Sequence, residues 1–256
     1  MIVVSWARPG PARGGIPAVT TTSGIAPASP ITEARIASPW IVALPNQKGG
    51  VGKTTLTLGL AAVTSDANGR ALALDIDPQS SSAEMAGRMT DPGFDFSHEM
   101  DPGRLSRLRE LRNYDMVFID CPGSLEGGQI LAAVLDVADY AVIPFMNDPL
   151  SVRPTVRTAK FVAEYGVPYK VLLNNVDPRL GADEVLAAWE LLDAGHLARF
   201  RCFVRAYRAY PTALAAKQTI IQYRGRYSAN VREDVKRVHT ELLLDLGRLS
   251  AGKDVS

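Results

Sequence analysis

Lys48-Gly49-Gly50-Val51-Gly52-Lys53-Thr54-Thr55 is the stretch of this chain in which residue types and spacing most directly imply chemistry. Glycines at 49, 50 and 52 let backbone N–H groups turn inward around a polyphosphate, where side chains would block the approach. Lys53 adds a point charge for the outer phosphate oxygens. Thr54 follows at the start of a helix, so its hydroxyl can ligate Mg²⁺ while the helix N-terminus supplies partial positive charge. Val51 and Thr55 belong to the cradle by position. The ordinary phosphate-loop pattern opens on a glycine; this loop does not, and it carries an extra lysine, Lys48, near its start.

Carboxylates elsewhere complete the same chemistry. Asp75 and Asp77 lie in Ala73-Leu-Asp-Ile-Asp-Pro-Gln79, and Asp120 lies in Val117-Phe-Ile-Asp-Cys-Pro-Gly123. An aspartate closing a buried apolar strand, as Asp120 does, holds Mg²⁺ directly or through a water. Asp77 is placed to orient an attacking water and Asp75 to support the metal shell, although a turn-stabilising role for either is the ordinary alternative.

These groups need a scaffold that brings strand ends together. Trp40–Leu44 reads as a buried strand before the loop and Leu56–Val63 as an apolar helix after it, the strand–loop–helix order that a phosphate loop requires. From Pro39 onward, apolar runs alternate with helical patterns. Strands are expected at Ile41–Leu44, Ala71–Asp75, Met116–Asp120, Tyr140–Pro144, Lys170–Asn174 and Phe200–Val204. Helices are expected at Gly127–Leu135, Arg153–Tyr165, Ala182–Ala194 and Asn230–Arg248. The fold class is α/β: three layers, a mostly parallel sheet flanked by helices, with ligands at the carboxyl ends of the strands. Residues 1–38, rich in Pro, Gly, Ala, Ser and Thr, are expected to form a disordered leader. Residues 39–250 form the domain, and 251–256 a flexible tail.

Composition excludes several alternatives. The formal net charge of the 256 residues is only +1, so nucleic-acid binding would need a local patch. Two cysteines, Cys121 and Cys202, are too few for a disulfide framework or a four-thiolate site. His98, His196 and His239 lack metal-ligand spacing. No apolar stretch reaches the roughly 18 residues needed to span a membrane. A cytoplasmic protein is expected.

Lys48–Thr55, Asp75-Ile-Asp-Pro-Gln79 and Asp120-Cys-Pro-Gly123 together resemble the ParA/MinD group of deviant Walker ATPases, and most closely the small ParA type that partitions plasmids and chromosomes. The resemblance extends from about Trp40 to Leu249 and includes Ile143–Leu150. It implies P-loop ATP hydrolysis with Mg²⁺, and a homodimer sandwiching ATP in which Lys48 reaches the partner's phosphates. It also implies roles for Lys53 and Asp77 in catalysis, and for Thr54, Asp75 and Asp120 around the metal. Adenine recognition falls to Asn174 or Asn175, with Asn174 preferred by position; turn chemistry is the alternative for Asn-Asn-Val-Asp-Pro. Cys121 stands where the group usually has threonine, and Gly123–Glu126 is one variant of a changeable switch segment. Residues before Pro39 show no helix-turn-helix pattern, so autorepression through site-specific DNA binding is not expected.

Basic residues collect toward the C-terminus among tyrosines: Arg201, Lys217, Arg224, Arg226, Arg232 and Lys236 are the candidate DNA contacts. Such a face binds duplex phosphates without reading sequence, and a solvated helix surface is its bland alternative. The resemblance implies an ATP-bound dimer on nucleoid DNA and a centromere-binding ParB- or ParG-like partner that stimulates hydrolysis. The other functional reading is a MinD-like ATPase positioning a membrane or surface assembly. The apolar stripe Val231, Val235, Val238, Leu242, Leu246 and Leu249 bears on it, but core packing explains such a stripe equally, and no membrane partner is expected.

Overall fold

Short aliphatic runs become the strands, and their burial explains why they carry so little polarity. The computed structural model describes residues 38–77, 85–123, 128–179 and 182–253. Most of the expected leader, the end of the expected tail, Pro78 and Gln79, and Ser124 to Glu126 of the switch segment lie outside the described residues. The strands are β1 (Trp40–Leu44), β2 (Ala71–Asp75), β3 (Asp95–His98), β4 (Met116–Asp120), β5 (Tyr140–Phe145) and β6 (Tyr169–Leu173). They form one six-stranded sheet in the order β3-β2-β4-β1-β5-β6, with every pairing parallel. β1 therefore lies between β4 and β5, and β2 and β4 run in register so that Asp75 pairs with Asp120 at their carboxyl ends. In an open parallel sheet this is where the crevice for a ligand forms.

The helices are α1 (Lys53–Asp66), α2 (Pro102–Leu105), α3 (Gly128–Leu135), α4 (Pro149–Glu164), α5 (Ala182–Ala194), α6 (Ala209–Ala215) and α7 (Ser228–Lys253). Alternate strand residues point to opposite faces, which splits the core into two layers. Val42, Leu44, Phe118 and Leu172 pack with α1 and α7, while Ile41, Val117, Ile119 and Ile143 pack with α3, α4 and α5. α1 is buried nearly all round because α7 covers it. Gly59 allows that approach: a Cβ there would meet Ile220 Cδ1 at 3.3 Å and Val235 Cγ1 at 3.4 Å.

The stripe Val231, Val235, Val238, Leu242 and Leu246 on α7 is buried in this layer, so packing against α1 accounts for it, not a membrane surface. α7 is also longer than its periodicity suggested, continuing through Lys253 into the expected tail.

The segment Phe200–Val204 is not a strand. Its residues pack against β6, and isolated bridges are made by the flanking residues, Arg199 with Val171 and Arg205 with Val176. The ladder is irregular because the Phe200 and Val204 N–H groups donate to Val171 O and Leu173 O, four positions on this segment against two on β6, while on the other side Arg201 N–H donates to Glu241 and Arg205 N–H to Asp234 of α7. Conversely, β3 was not expected, since an exposed edge strand containing Asp95, Ser97 and His98 has no apolar run to betray it.

One buried titratable group in this core has a predictable consequence. The Thr64 hydroxyl on α1 donates to Leu60 O at 3.0 Å, so the contact of 2.9 Å with His239 on α7 requires the imidazole Nε2–H to donate. Burial holds the His239 pKa below the usual 6.5. Because the folded-state value is the lower one, the unfolded chain takes up the proton first. This stability is therefore complete above about pH 6.5 and is lost as pH falls through the folded value. Melting temperatures recorded from neutral to mildly acidic pH should fall in the wild type, and the fall should be smaller in His239→Gln.

Candidate functional site

The phosphate loop leaves the carboxyl end of β1, the strand between β4 and β5, and ends at Gly52, which caps α1 with φ 91° and ψ 21°. That left-handed conformation favours glycine. Gly50 is also left-handed, at φ 76°, and Gly49 and Gly50 are exposed with nothing within 4 Å of their built Cβ positions. The loop's open side thus has room for phosphate. Lys53 lies beneath it, buried, with Nζ donating to Lys48 O at 3.2 Å. Burial lowers the Lys53 pKa, and Asp120, Cys121 and Asp77 act in the opposite direction. An arriving polyphosphate would supply the missing counter-charge.

Thr54 Oγ1 donates to Asp120 Oδ2 at 2.6 Å, placing both expected metal ligands at one point. Asp75 lies beside them on the neighbouring strand, buried, and its Oδ1 accepts the Asp77 N–H at 2.9 Å. Asp75 therefore shapes the turn that carries Asp77. A hydroxyl and a carboxylate are hard oxygen donors, and together with phosphate oxygens and water they suit Mg²⁺, which retains several waters and needs few protein ligands. The residues present fit that ion, with Thr54 and Asp120 to hold it. When bound, Mg²⁺ would neutralise charge on the phosphate oxygens. Cys121 does not compete, because burial pushes its thiol far up and keeps it protonated. Asp120→Asn is expected to lower ATP turnover on the order of a hundredfold and to remove the Mg²⁺ dependence of nucleotide affinity, which calorimetry with and without the ion would detect.

Lys48 is not a solvated loop lysine. Its Nζ donates to Asp148 Oδ1 and Oδ2, each at 2.7 Å, and to Ser151 Oγ at 2.8 Å. Asp148 caps α4 by accepting the Leu150 N–H at 2.9 Å, and the Lys48 ammonium holds its carboxyl below the usual carboxylate range.

Asn174, the expected adenine contact, sits against the phosphate loop. It is buried, and its side-chain Nδ2 donates to Val51 O at 2.7 Å, so it braces the phosphate loop from below. Its neighbour Asn175 is exposed in the left-handed region, at φ 60°.

Residues 42–238 match the family model for the CobQ/CobB/MinD/ParA nucleotide binding domain. The chain belongs to that family. It is 39% identical to maintenance of carboxysome distribution protein A of Gloeobacter kilaueensis over 206 residues, which is 80% of this chain and 94% of that protein. It is 31% identical to the chromosome partitioning protein ParA of Myxococcus xanthus over 146 residues, 41% of this chain and 51% of that one. Among solved structures, the AMPPNP-bound putative plasmid partition protein of Borrelia burgdorferi superposes with a TM-score of 0.64 at 18% identity. That match covers 81% of this chain and 99% of the other, and shows the shared fold.

The residues expected to contact DNA do not all fall together. Arg224, Arg226 and Arg232 gather around Tyr223 and Tyr227: Arg224 donates to Ile221 O, Arg232 to Tyr223 O at 2.7 Å, and Arg226 stacks 4.7 Å from the Tyr227 ring centre. Tyr227 stacks in turn on Tyr207 at 4.9 Å, and Arg205 covers Tyr207 at 5.3 Å. Lys217 is exposed in the same connecting segment, at φ 58°. Arg201 falls outside this group. Its N–H is held by Glu241, nine positions beyond Arg232 on the same helix, roughly 13 Å at 1.5 Å per residue. Lys236 is engaged by Asp66 at 2.8 Å.

Two residues that hold Lys48 escaped sequence reading, Asp148 and Ser151. The only sequence signal was Asp148-Pro149, a cap followed by proline at the first helical position, and nothing local connects it to Lys48.

Proposed function

We propose that this ATPase cycles between a monomer and an ATP-sandwiched homodimer that binds duplex DNA without sequence preference, and that it uses the cycle to position a cargo along the nucleoid. The observation that carries this reading is the second lysine, Lys48, at the rim of a loop whose own phosphates Lys53 already serves. In the dimer, Lys48 leaves Asp148 for the partner's phosphates, Asp77 orients water, and Lys53 neutralises charge developing on the phosphoryl group. Hydrolysis then releases the dimer from DNA. Arg224, Arg226, Arg232 and Lys217 supply the DNA face, with the stack of Arg205, Tyr207, Tyr227 and Arg226 fixing its geometry.

The match covering nearly the whole of a carboxysome distribution protein supports a protein assembly as the cargo. Partition of plasmid or chromosomal DNA through a centromere-binding ParB- or ParG-like partner is the second reading, favoured by the chromosome-partitioning proteins among the relatives. In either case an adaptor on the cargo stimulates hydrolysis.

Anisotropy of a labelled duplex of arbitrary sequence tests the reading. Binding is expected with ATP and not with ADP, and its affinity should fall steeply with salt. Combining Arg224→Ala, Arg226→Ala and Arg232→Ala should lower the log–log salt slope by about one unit per contact removed. An ATP-dependent dimer without DNA affinity would overturn the DNA reading.

A further inference from the structure

Two asparagine amides hold the phosphate loop, one at each end of the span from Lys48 to Val51. Asn174, beyond the end of β6, donates to Val51 O. Asn46, between β1 and the loop, serves the other end. Its Oδ1 accepts the Lys48 N–H at 2.8 Å, while its Nδ2 donates to Pro144 O on β5 at 2.7 Å and to Thr155 Oγ1 on α4 at 3.2 Å. These partners fix which way the amide faces, because the flipped amide would set its N–H groups against the Lys48 N–H and its oxygen against Pro144 O. Asn46 is 2% exposed, so water does not replace a bond it loses.

The bond from Asn46 to Lys48 is a local turn in which an asparagine side chain meets the backbone two residues on. It fixes the peptide group from which the Lys48 side chain departs. Pro144 O fixes Asn46 in turn, so the base of Lys48 is referred to the sheet. Lys48 can therefore exchange Asp148 for another anion by rotation about its own side-chain bonds while its backbone stays in place. The backbone of Lys53 belongs to α1, beyond the second brace, and is set without Asn46.

We infer that Asn46 is the positioning residue for Lys48: its amide aims the rim lysine at the partner's phosphates and affects hydrolysis through that lysine alone. The inference rests on the proposed role of Lys48 in the dimer. Without the amide the lysine keeps its charge, but its starting point shifts, and a displacement of about 1 Å lowers a rate on the order of a hundredfold. Capture of nucleotide by one protomer depends on the part of the loop held by Asn174 and α1, and is unaffected.

The test is a double-mutant cycle in the full chain. It is read as affinity for a fluorescent ATP analogue and as ATP turnover at saturating ATP and high protein concentration, which keeps residual rates measurable. Asn46→Ala should lower turnover about tenfold to a hundredfold and leave analogue affinity unchanged. Added to Lys48→Ala it should lower turnover no further, since no lysine remains to be aimed. A further loss of the same size would show an independent structural role and overturn the inference, as would a loss of analogue affinity equal to the loss of turnover. Asn46→Ser keeps an oxygen that accepts the Lys48 N–H and gives up the bonds to Pro144 and Thr155, so it should retain most of the turnover. If Asn46→Ser is as slow as Lys48→Ala, the inference fails, and this arm decides even where melting shows that Asn46→Ala does not fold. Wild-type turnover in Lys48→Ala would sink the reading of Lys48 and this inference with it. A slow Lys48→Ala beside an Asn46→Ala of wild-type turnover sinks this inference alone.

Discussion

Gly52→Ala should abolish tight ATP binding while leaving the sheet folded. At φ 91° an alanine incurs the left-handed penalty of about 1–2 kcal/mol. Its Cβ would also lie 2.3 Å from Asn174 Nδ2, a contact that something must yield. Asn174 cannot move away cheaply, because its amide is bonded to Val51 O and a buried donor left unpaired is costly. The loop itself must shift, and the N–H groups that would face the phosphates shift with it. A loss in ATP affinity of at least tenfold is expected, since each 1.4 kcal/mol is a factor of ten. Adding Asn174→Ala removes the obstructing amide and should recover part of the affinity. Titration of a fluorescent ATP analogue into the two proteins checks this, and equal affinity in wild type and Gly52→Ala would show that the loop does not bind as described.

Lys48→Ala and Asp148→Asn should act in opposite directions. Lys48→Ala removes the lysine at the rim of the loop and leaves the buried Lys53 in place, so each monomer should still bind ATP but not close the dimer. Cations supplied in trans to a phosphoryl group are worth about 10³-fold or more, and turnover should fall on that order. Asp148→Asn keeps an oxygen to accept the Leu150 N–H and so preserves the cap of α4. What it loses is the negative charge that holds Lys48 in its own chain. Lys48 is then more readily released, and the variant should dimerise at lower ATP concentration than the wild type.

The fold was largely legible in the sequence because parallel strands buried on both faces must be continuous apolar runs. β1, β2 and β4 were readable for that reason, and the glycines and Lys53 of the loop because phosphate binding permits so few residue types there. The failures have a common origin in long-range hydrogen bonds. Phe200–Val204 has the composition of a strand, but it advances four positions between its bonds to Val171 O and Leu173 O on β6, where a regular parallel ladder would advance two. Asn174 was singled out for base recognition, and its bond to Val51 O, which only the folded crossing of β6 past the loop shows, was not foreseen. The grip of Asp148 on Lys48 joins residues a hundred positions apart. In the basic set, spacing along the chain could not tell Arg226, stacked outward on Tyr227, from Lys236, already paired with Asp66.

Sedimentation velocity of the wild type and Lys48→Ala, each with ADP and with a non-hydrolysable ATP analogue, tests the central claim most directly. The wild type should sediment as a monomer with ADP and as a dimer with the analogue, while Lys48→Ala binds the analogue and remains a monomer. A wild type that stays monomeric with saturating analogue, or a Lys48→Ala protein that dimerises equally well, would contradict the account.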